Sequence, residues 1–482
     1  MATAGRLTIV QLNDTHGYVE PHPELVWTPS GPSYPAMGGY ARIASLLARF
    51  RRDNPDGVLA LDNGDTFHGT YPAVTTRGEG LVPLLNALKL DAMTAHWDFA
   101  WGPNHFGRLV ARLDYPMLAI NCHEIDSGKR PFPASLTVER AGLRIGIIGI
   151  AATIIDKSMP KQFSEGLRFT SGFNELPEEI ARLRGEESAD LVVVLSHLGF
   201  PQDVLLANTV QGIDVLLSGH THNRLEAPVN AGGAIIIQSG CHGSFMGHLE
   251  LEISNGRIAA VNHSLIPVDA AISPDAAMET QVDRLMAPYR QMLDEVVGRT
   301  GIGLHRNNNL FAPMDDVLLA AISATASTDI AFSNGWRYGA PIAPGPVRMN
   351  DLWNIIPTNP PVSTVSVSGA EINAMMEENL ERTFSADPLG QMGGYLKRFR
   401  GLTIYGKIEN PSGHRIERIF TGKDELDPLS EYTVAFVTEQ GVPLKYGRDR
   451  RQLPIHAIDS LRTFFSAGGQ LDAHTLGRFI PV

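Results

Sequence analysis

Five short stretches of the chain carry side chains that could bind metal ions: Asn13-Asp14-Thr15-His16, Asn63-Gly64-Asp65, Thr94-Ala95-His96-Trp97-Asp98, Ser196-His197-Leu198-Gly199 and Ser218-Gly219-His220-Thr221-His222. Most follow directly on a strand-like apolar run. In an open α/β sheet, ligands collect beyond the carboxyl ends of the strands, so five separate loops could converge on one site. An Asp-x-His or His-x-His step suits such a site. Alternate residues of an extended segment point the same way, so two side chains can reach one metal or two adjacent ones. Taken singly, an Asp after a strand more often caps a helix or a turn, and a lone His in an α/β core usually makes a structural hydrogen bond. Together the five supply about seven nitrogen and oxygen donors and no sulfur. That set suits Mn²⁺, Zn²⁺ or Fe²⁺ more than Cu(I) or an iron–sulfur cluster.

The elements that must position these loops are short apolar runs: Leu7–Leu12, Gly57–Leu61, Pro116–Ile120, Leu143–Ile150, Leu191–Leu195, Ile213–Leu217 and Ala234–Gln238. Several are solid β-branched blocks, as expected of a sheet buried on both faces. His248–Ser254 alternates instead and reads as a half-exposed strand. Helix-like segments lie between the runs, which predicts a layered α/β domain over residues 1–269. Ser273-Pro274-Asp275 then opens a helix. Its stripe of Met278, Val282, Leu285, Tyr289, Met292 and Val296 steps by four and three, with a kink at Pro288. This predicts a packing helix over 270–298 leading to a second domain over 299–482, without internal repeats or low-complexity tracts.

With 482 residues, 43% apolar and 19% charged, the chain has the size of two or three packed domains and the balance of neither a disordered nor a fibrous protein. Acidic groups outnumber basic ones 52 to 40, a formal charge of -12. That argues against a generally basic nucleic-acid surface and leaves room for a local pocket that binds an anion. Cys122 and Cys241, neither in a CxxC pair, argue against a disulfide framework, redox chemistry or thiolate–metal ligation; both read as small buried residues. No run approaches about 18 uncharged apolar residues, so no membrane span is expected. Met1–Arg6 leads straight into Leu7–Leu12 with no leader-like segment. The expectation is a cytoplasmic protein as written, or a periplasmic one if a leader has been removed.

The series DTH, GD, SH and GHTH resembles that of the calcineurin-like metallophosphoesterases. Gly38–Phe50, reading GGYARIASLLARF, and the second domain resemble the 5'-nucleotidase family. Within that family the chain is most similar to the SoxB-like thiosulfohydrolase branch. His96-Trp97-Asp98-Phe99 is similar to HWEF of that branch, where nucleotidases have NHEF, and Gly335-Trp336-Arg337-Tyr338-Gly339 resembles its GFRWG. Asp387-Pro388, Gln391–Gly394, Gly401–Thr403 and Glu439–Gly441 also look like its counterparts, so the resemblance covers nearly the whole chain. It implies an N-terminal layered αββα metallophosphoesterase domain joined by a helix to an α+β 5'-nucleotidase-type C-terminal domain. It also implies two divalent ions, manganese foremost, with zinc or iron compatible. Asp14, His16 and His222 would hold one ion, and His96, His197 and His220 the other, with Asp65 bridging. A hydroxide between ions about 3.5–4 Å apart would be the nucleophile.

Position 96 is the informative departure. Nucleotidases place Asn and then a His that assists the reacting phosphoryl group; here His96 is followed by Trp97, and an indole cannot shuttle protons. A missing general acid is worth about 10² to 10⁴ in rate, which matters for an alkoxide leaving group and little for a persulfide. The expected substrate is therefore a small anion or a carrier protein bearing a thiosulfonate, with sulfate released. A phosphomonoesterase acting on nucleotides or other phosphate esters is the alternative, and a non-catalytic binding protein the third reading. Asp98 and Arg337 are the candidate catalytic residues, although orienting His96 or capping a helix is the commoner use of such a carboxylate. Trp336, Arg337, Tyr338, Gly393 and Gly394 are the candidate substrate-binding residues, because a guanidinium can grip a sulfonate or phosphate bidentately; the bland reading is an Arg packed on two aromatics. The ring pair with which nucleotidases sandwich a base has no match, although Phe399, Tyr405 and Tyr446 are available. Lys397–Arg400 reads as either anion steering or solvated surface. His68, His123 and His242 read as structural.

Overall fold

The β-branched blocks of the first 270 residues pair into two sheets. In one, the order is Arg257–Pro267, Phe245–Ser254, Ala4–Leu12, Val58–Asp62, Ala92–Met93, and the last three strands run parallel. The other runs Val229–Ala231, Ala234–Ile237, Val215–Ser218, Leu191–Ser196, Leu143–Ile150, Ser135–Arg140, with its four central strands parallel. Their inner faces meet in one core that includes Leu7, Ile9, Leu59 and Leu61 from the first sheet and Ile145, Ile147, Val193, Leu195, Leu217 and Ile237 from the second. The outward residues Ile148, Val192, Val194 and Leu216 of the second sheet pack on Leu176, Ile180 and Leu183 of helix Leu176–Gly185 and on Leu206 of helix Phe200–Thr209. Helix Tyr40–Asp53 buries Ile43, Leu46 and Leu47 outside the first sheet. The layers are therefore α, β, β, α. Strands covered on both faces must be apolar at every position, which is why they read as blocks.

The computed structural model describes residues 4–254, 256–469, 471 and 476–482. The chain divides between Pro288 and Tyr289 into two units, with Pro23–Tyr34 grouped in the second. In the second unit a five-stranded sheet runs Arg398–Arg400, Ile330–Ser333, Glu431–Phe436, Pro361–Ser368, Arg448–His456, and a four-stranded one runs Asp424–Glu425, Ile416–Thr421, Thr403–Gly406, Arg478–Pro481. Most of these pairings are antiparallel. Phe332, Val365, Met376, Ile404 and Val434 share its core. No helix among the described residues is long and apolar enough to cross a membrane.

Two expectations need correction. Pro116–Ile120 is not a strand. Met117 forms an isolated bridge with Met93, after which Leu118 N bonds Met93 O at 2.8 Å, Ala119 N bonds Pro133 O at 2.9 Å and Ile120 N bonds Gly149 O at 2.8 Å. The segment passes from one sheet to the other, changing partner at each step. A Cβ at Gly149 would lie 2.2 Å from Leu118 O, so the crossing needs a glycine there. The second correction concerns the linker. Asp275 does cap a helix, accepting from Met278 N at 2.8 Å, but that helix covers only Ala276–Met286. Pro288 lacks an amide hydrogen and disfavours helical geometry at the preceding residue, so the helix stops short of it. A one-turn helix, Arg290–Leu293, follows, and Val296 opens strand Val296–Thr300 with its side chain exposed.

Candidate dinuclear metal centre

Each of the five stretches follows a strand of the first unit: Ala4–Leu12, Val58–Asp62, Ala92–Met93, Leu191–Ser196 and Val215–Ser218. Because these strands are parallel within their sheets, their carboxyl ends lie at one end of the sandwich, and the loops meet there. Two groups of four result, Asp14, His16, Asp65 and His222 in one and Asp65, His96, His197 and His220 in the other. Within each group the ligand atoms lie within 4.8 Å of one another, and Asp65 belongs to both.

The backbone reaches this arrangement in an unexpected way. Asp14, His16, Asp65, His220 and His222 have φ of 52°, 48°, 55°, 71° and 59°. The Asp-x-His and His-x-His steps are therefore not extended segments. Their paired residues are left-handed, a conformation that costs a non-glycine residue about 1–2 kcal/mol and that clusters where function over-determines the chain.

Side-chain geometry also fits a cation. His222 Nε2 lies 3.2 Å from Asp14 Oδ1 and 3.3 Å from His16 Nε2. His197 Nε2 lies 3.4 Å from Asp65 Oδ2 and 3.6 Å from Asp14 Oδ1, and His96 Nδ1 lies 3.3 Å from Asp65 Oδ2. Asp14 and His197 are fully buried, and His96 Nε2 and His197 Nε2 have no hydrogen-bond partner among the described residues. Burial disfavours a charged Asp65, yet the imidazoles of His96 and His197 hold its carboxyl well below the usual range. Burial likewise opposes a charged His197, but Asp65 and Asp14 push it up to about 10. The space between the two carboxylates thus favours positive charge strongly. Burial keeps His16 neutral, the form that donates a lone pair to a metal. Two carboxylates packed among imidazoles without solvent would be costly unless a cation answers them, so the donor set fits divalent metal ions.

Outer contacts fix these donors. His197 donates its Nδ1 hydrogen to Asn63 O at 2.6 Å, leaving Nε2 for a ligand. Asn63 Nδ2 donates to Ser196 O and Leu217 O at 2.8 and 2.7 Å, and its Oδ1 accepts from Gln11 Nε2 at 2.8 Å. Asn13 reaches Asp14 Oδ2 at 2.8 Å and Gly240 O at 2.6 Å. These buried amides bind the loops to one another and were not recognised from the sequence as a frame, although Gln11 inside the apolar run Leu7–Leu12 is a polar residue in need of a partner. Asn63→Ala removes the donor to two buried carbonyls, Ser196 O and Leu217 O, and one of the two acceptors of the Gln11 amide, which keeps Ser218 O. It is expected to weaken divalent-metal binding about 10- to 100-fold and to destabilise the fold by about 1–3 kcal/mol. Calorimetric metal titration and thermal melts measure both, and unchanged metal affinity would remove the frame from the account.

Asp98, a candidate catalytic residue with orienting His96 as the commoner use of such a carboxylate, makes contacts of the orienting kind. Its fully buried carboxylate accepts four backbone hydrogens, from Asp65 N, Thr66 N, Phe67 N and His96 N, at 2.9 to 3.0 Å. It ties the Asp65 loop to the His96 loop as a positioning residue. Trp97 N donates to Asp65 Oδ1 at 2.6 Å, while its indole stacks on His68 with ring centroids 4.4 Å apart. His68 is fully buried, and burial pushes it down to about 4, so it stays neutral. His242 is buried beside Tyr18, and His123 Nε2 lies 3.5 Å from Glu175. Both cysteines are buried, and neither forms a disulfide among the described residues.

In the second unit, Arg337 is half-buried, its Nη2 donating to Gly394 O at 2.9 Å and its guanidinium 5.0 Å from the centroid of Tyr395. Gly393 and Gly394 have φ of 70° and 76°, and Tyr395 N bonds Gly335 O at 2.6 Å, joining the two glycine-bearing loops. Trp336 and Tyr338 do not flank Arg337 as walls. They are buried against Arg306. Lys397 and Arg398 are likewise buried, not solvated or free to steer. Lys397 Nζ donates to Gln440 O and Gly441 O at 2.5 and 3.0 Å. Phe399 lies in the core, Tyr405 packs edge-on to Phe420, and Tyr446 Oη donates to Glu378 at 2.9 Å.

The family "5'-nucleotidase, C-terminal domain" matches residues 296–438. The solved sulfate thiohydrolase SoxB of Thermus thermophilus superposes with a TM-score of 0.90 at 24% identity, covering 99% of this chain and 97% of that one. A 5'-nucleotidase precursor, also from Thermus thermophilus, gives 0.85 at 21% identity, covering 99% of both chains. YfkN of Bacillus subtilis, by name a trifunctional nucleotide phosphoesterase, is 21% identical over 458 residues. That match takes in 85% of this chain, which spans only 30% of YfkN's length. The solved calcineurin-like phosphoesterase structure of YfkN matches 59% of this chain and 98% of that one, with a TM-score of 0.51 at 20% identity. Residues 296–438 therefore carry a 5'-nucleotidase C-terminal domain, and the layered αββα unit with its two overlapping donor groups shares the fold of the solved 5'-nucleotidase and calcineurin-like phosphoesterase structures.

Proposed function

We propose that the chain hydrolyses a thiosulfonate and releases sulfate, using two divalent cations, manganese foremost. Asp14, His16 and His222 would hold one ion and His96, His197 and His220 the other, with Asp65 available to both. The observation that carries this reading is the convergence of seven donors, from five loops, on two groups with one carboxylate in common. Two ions bound there would supply an activated water and neutralise charge on the oxygens of a tetrahedral centre. The chain's own residues do the rest. Asn63 sets the tautomer of His197 through its carbonyl, and Asp98 fixes the spacing of the Asp65 and His96 loops. In the second unit, Arg337 is the residue proposed to bind an anionic oxygen through its guanidinium.

The choice of leaving group rests on Trp97. An indole bonded through its backbone to Asp65 can shape the site but cannot protonate an alkoxide. The imidazole stacked on it, His68, is buried and neutral. A persulfide or acidic thiol departs without that help. Phe399, Tyr405 and Tyr446 are all engaged within the second unit, which lends no support to a base sandwich. A phosphomonoesterase is the second reading, favoured by relatives named as nucleotidases. A binding protein would have no use for two metals. The thiosulfonate is borne by a small thiol or a carrier protein. Metal analysis should find two ions per chain. Sulfate release from an S-sulfonated thiol should exceed phosphate release from AMP, and the reverse order would overturn the substrate assignment.

A further inference from the structure

The aromatic walls expected around Arg337 belong to another arginine. Arg306 is buried and donates through Nε and Nη2 to Asp315 Oδ1 at 3.0 and 2.8 Å. Its Nη1 donates to Tyr338 O and its Nη2 to Ile355 O, both at 2.8 Å. Its guanidinium lies 5.6 Å from the ring centroid of Trp336 and 5.8 Å from that of Tyr338. Arg306 therefore holds the residues on both sides of Arg337, by one carbonyl and two rings. The other oxygen of Asp315 faces a second buried arginine: Arg398 Nε lies 3.3 Å from Oδ2. Arg398 also lies over Tyr395, 5.6 Å from its centroid, and Arg337 lies over that ring at 5.0 Å.

We infer that Asp315 is the positioning residue for Arg337, acting through two arms, one through Arg306 to the Trp336–Tyr338 loop and one through Arg398 and Tyr395 to the guanidinium itself. The physical reason is charge. Two buried arginines share one carboxylate, and removing a partner from a buried ion pair leaves uncompensated charge. Arg398 and Arg337 also both lie over the ring of Tyr395, where the carboxylate of Asp315 balances the charge of Arg398. The inference rests on the proposed role of Arg337 in binding the substrate's oxyanion.

The test is Asp315→Asn in the full-length, metal-loaded protein, with inorganic sulfate and phosphate as probes in calorimetric titrations, alone and in an Arg337→Ala background. Asp315→Asn is expected to weaken anion binding about tenfold in the parent and less than about twofold once Arg337 is gone, the signature of coupled residues. Losses that multiply independently, or an unchanged affinity in Asp315→Asn, would overturn the inference. If Asp315→Asn does not fold, Tyr395→Leu cuts the second arm alone. It is expected to weaken binding about threefold, with Tyr395→Phe restoring it, because the ring carries the contact; unaltered binding in Tyr395→Leu would overturn the inference equally. Anion binding insensitive to Arg337→Ala would instead sink the role of Arg337, a result distinct from an effect of Arg337→Ala that Asp315→Asn fails to share.

Discussion

Asp65→Asn is expected to lower turnover by about 10³-fold or more and to cut bound metal from two ions per chain to one or fewer. The substitution preserves shape and removes one negative charge. Asp65 alone belongs to both donor groups, so its loss weakens both ions, whereas Asp14→Asn removes a donor from one group only. The carboxylates Asp14 and Asp65 are the anionic donors in these groups; the remaining donors are imidazoles. Halving the negative charge leaves neutral nitrogen donors to hold two dications in a buried pocket. Elemental analysis of the purified variant, with turnover measured under saturating manganese, reads both effects. Two tightly held ions in Asp65→Asn would refute the shared-carboxylate arrangement.

The second large effect is a change of substrate preference. Trp97→His is expected to raise phosphomonoester hydrolysis by about 10²-fold, the lower range of what a positioned general acid supplies, while thiosulfonate hydrolysis gains nothing. The backbone bond from residue 97 to Asp65 needs no particular side chain, so the metal site should survive the exchange. The new imidazole would stand where the indole now covers His68, displaying a titratable group where the parent has none. Parallel assays of phosphate release from AMP and sulfate release from an S-sulfonated thiol decide the matter. An unchanged phosphate rate in a variant that keeps two metals would defeat the leaving-group argument.

Much of this protein was legible without coordinates. The β-branched blocks announced strands covered on both faces, and the structure places them between layers. The seven donors stood out because Asp and His recurred just after such blocks, and parallel strands bring those ends together. What misled was local geometry. Pro116–Ile120 has the composition of a strand, yet each residue bonds a different neighbour. The helical stripe through Val296 was sound only as far as Met286, because periodicity does not register the amide that Pro288 lacks. Alternation was the wrong reason for pairing Asp14 with His16, since both are left-handed.

The second unit was less transparent. Arg337 was visible by its flanking rings, but the rings turn inward on Arg306, a residue that no motif marked. Lys397 and Arg398 looked like solvated charge, and both are buried against carbonyls and a carboxylate. Residue types and their order along the chain determined the layered fold, the donor inventory and the absence of a proton donor at Trp97, because these depend on local chemistry and on periods of two and 3.6 residues. Only tertiary structure decided that Asp98 accepts four backbone hydrogens from two loops and that Asp315 faces two buried arginines. Each of those outcomes is a contact between residues remote in sequence, set by how buried charges find partners, and burial of that kind leaves no period for a sequence to display.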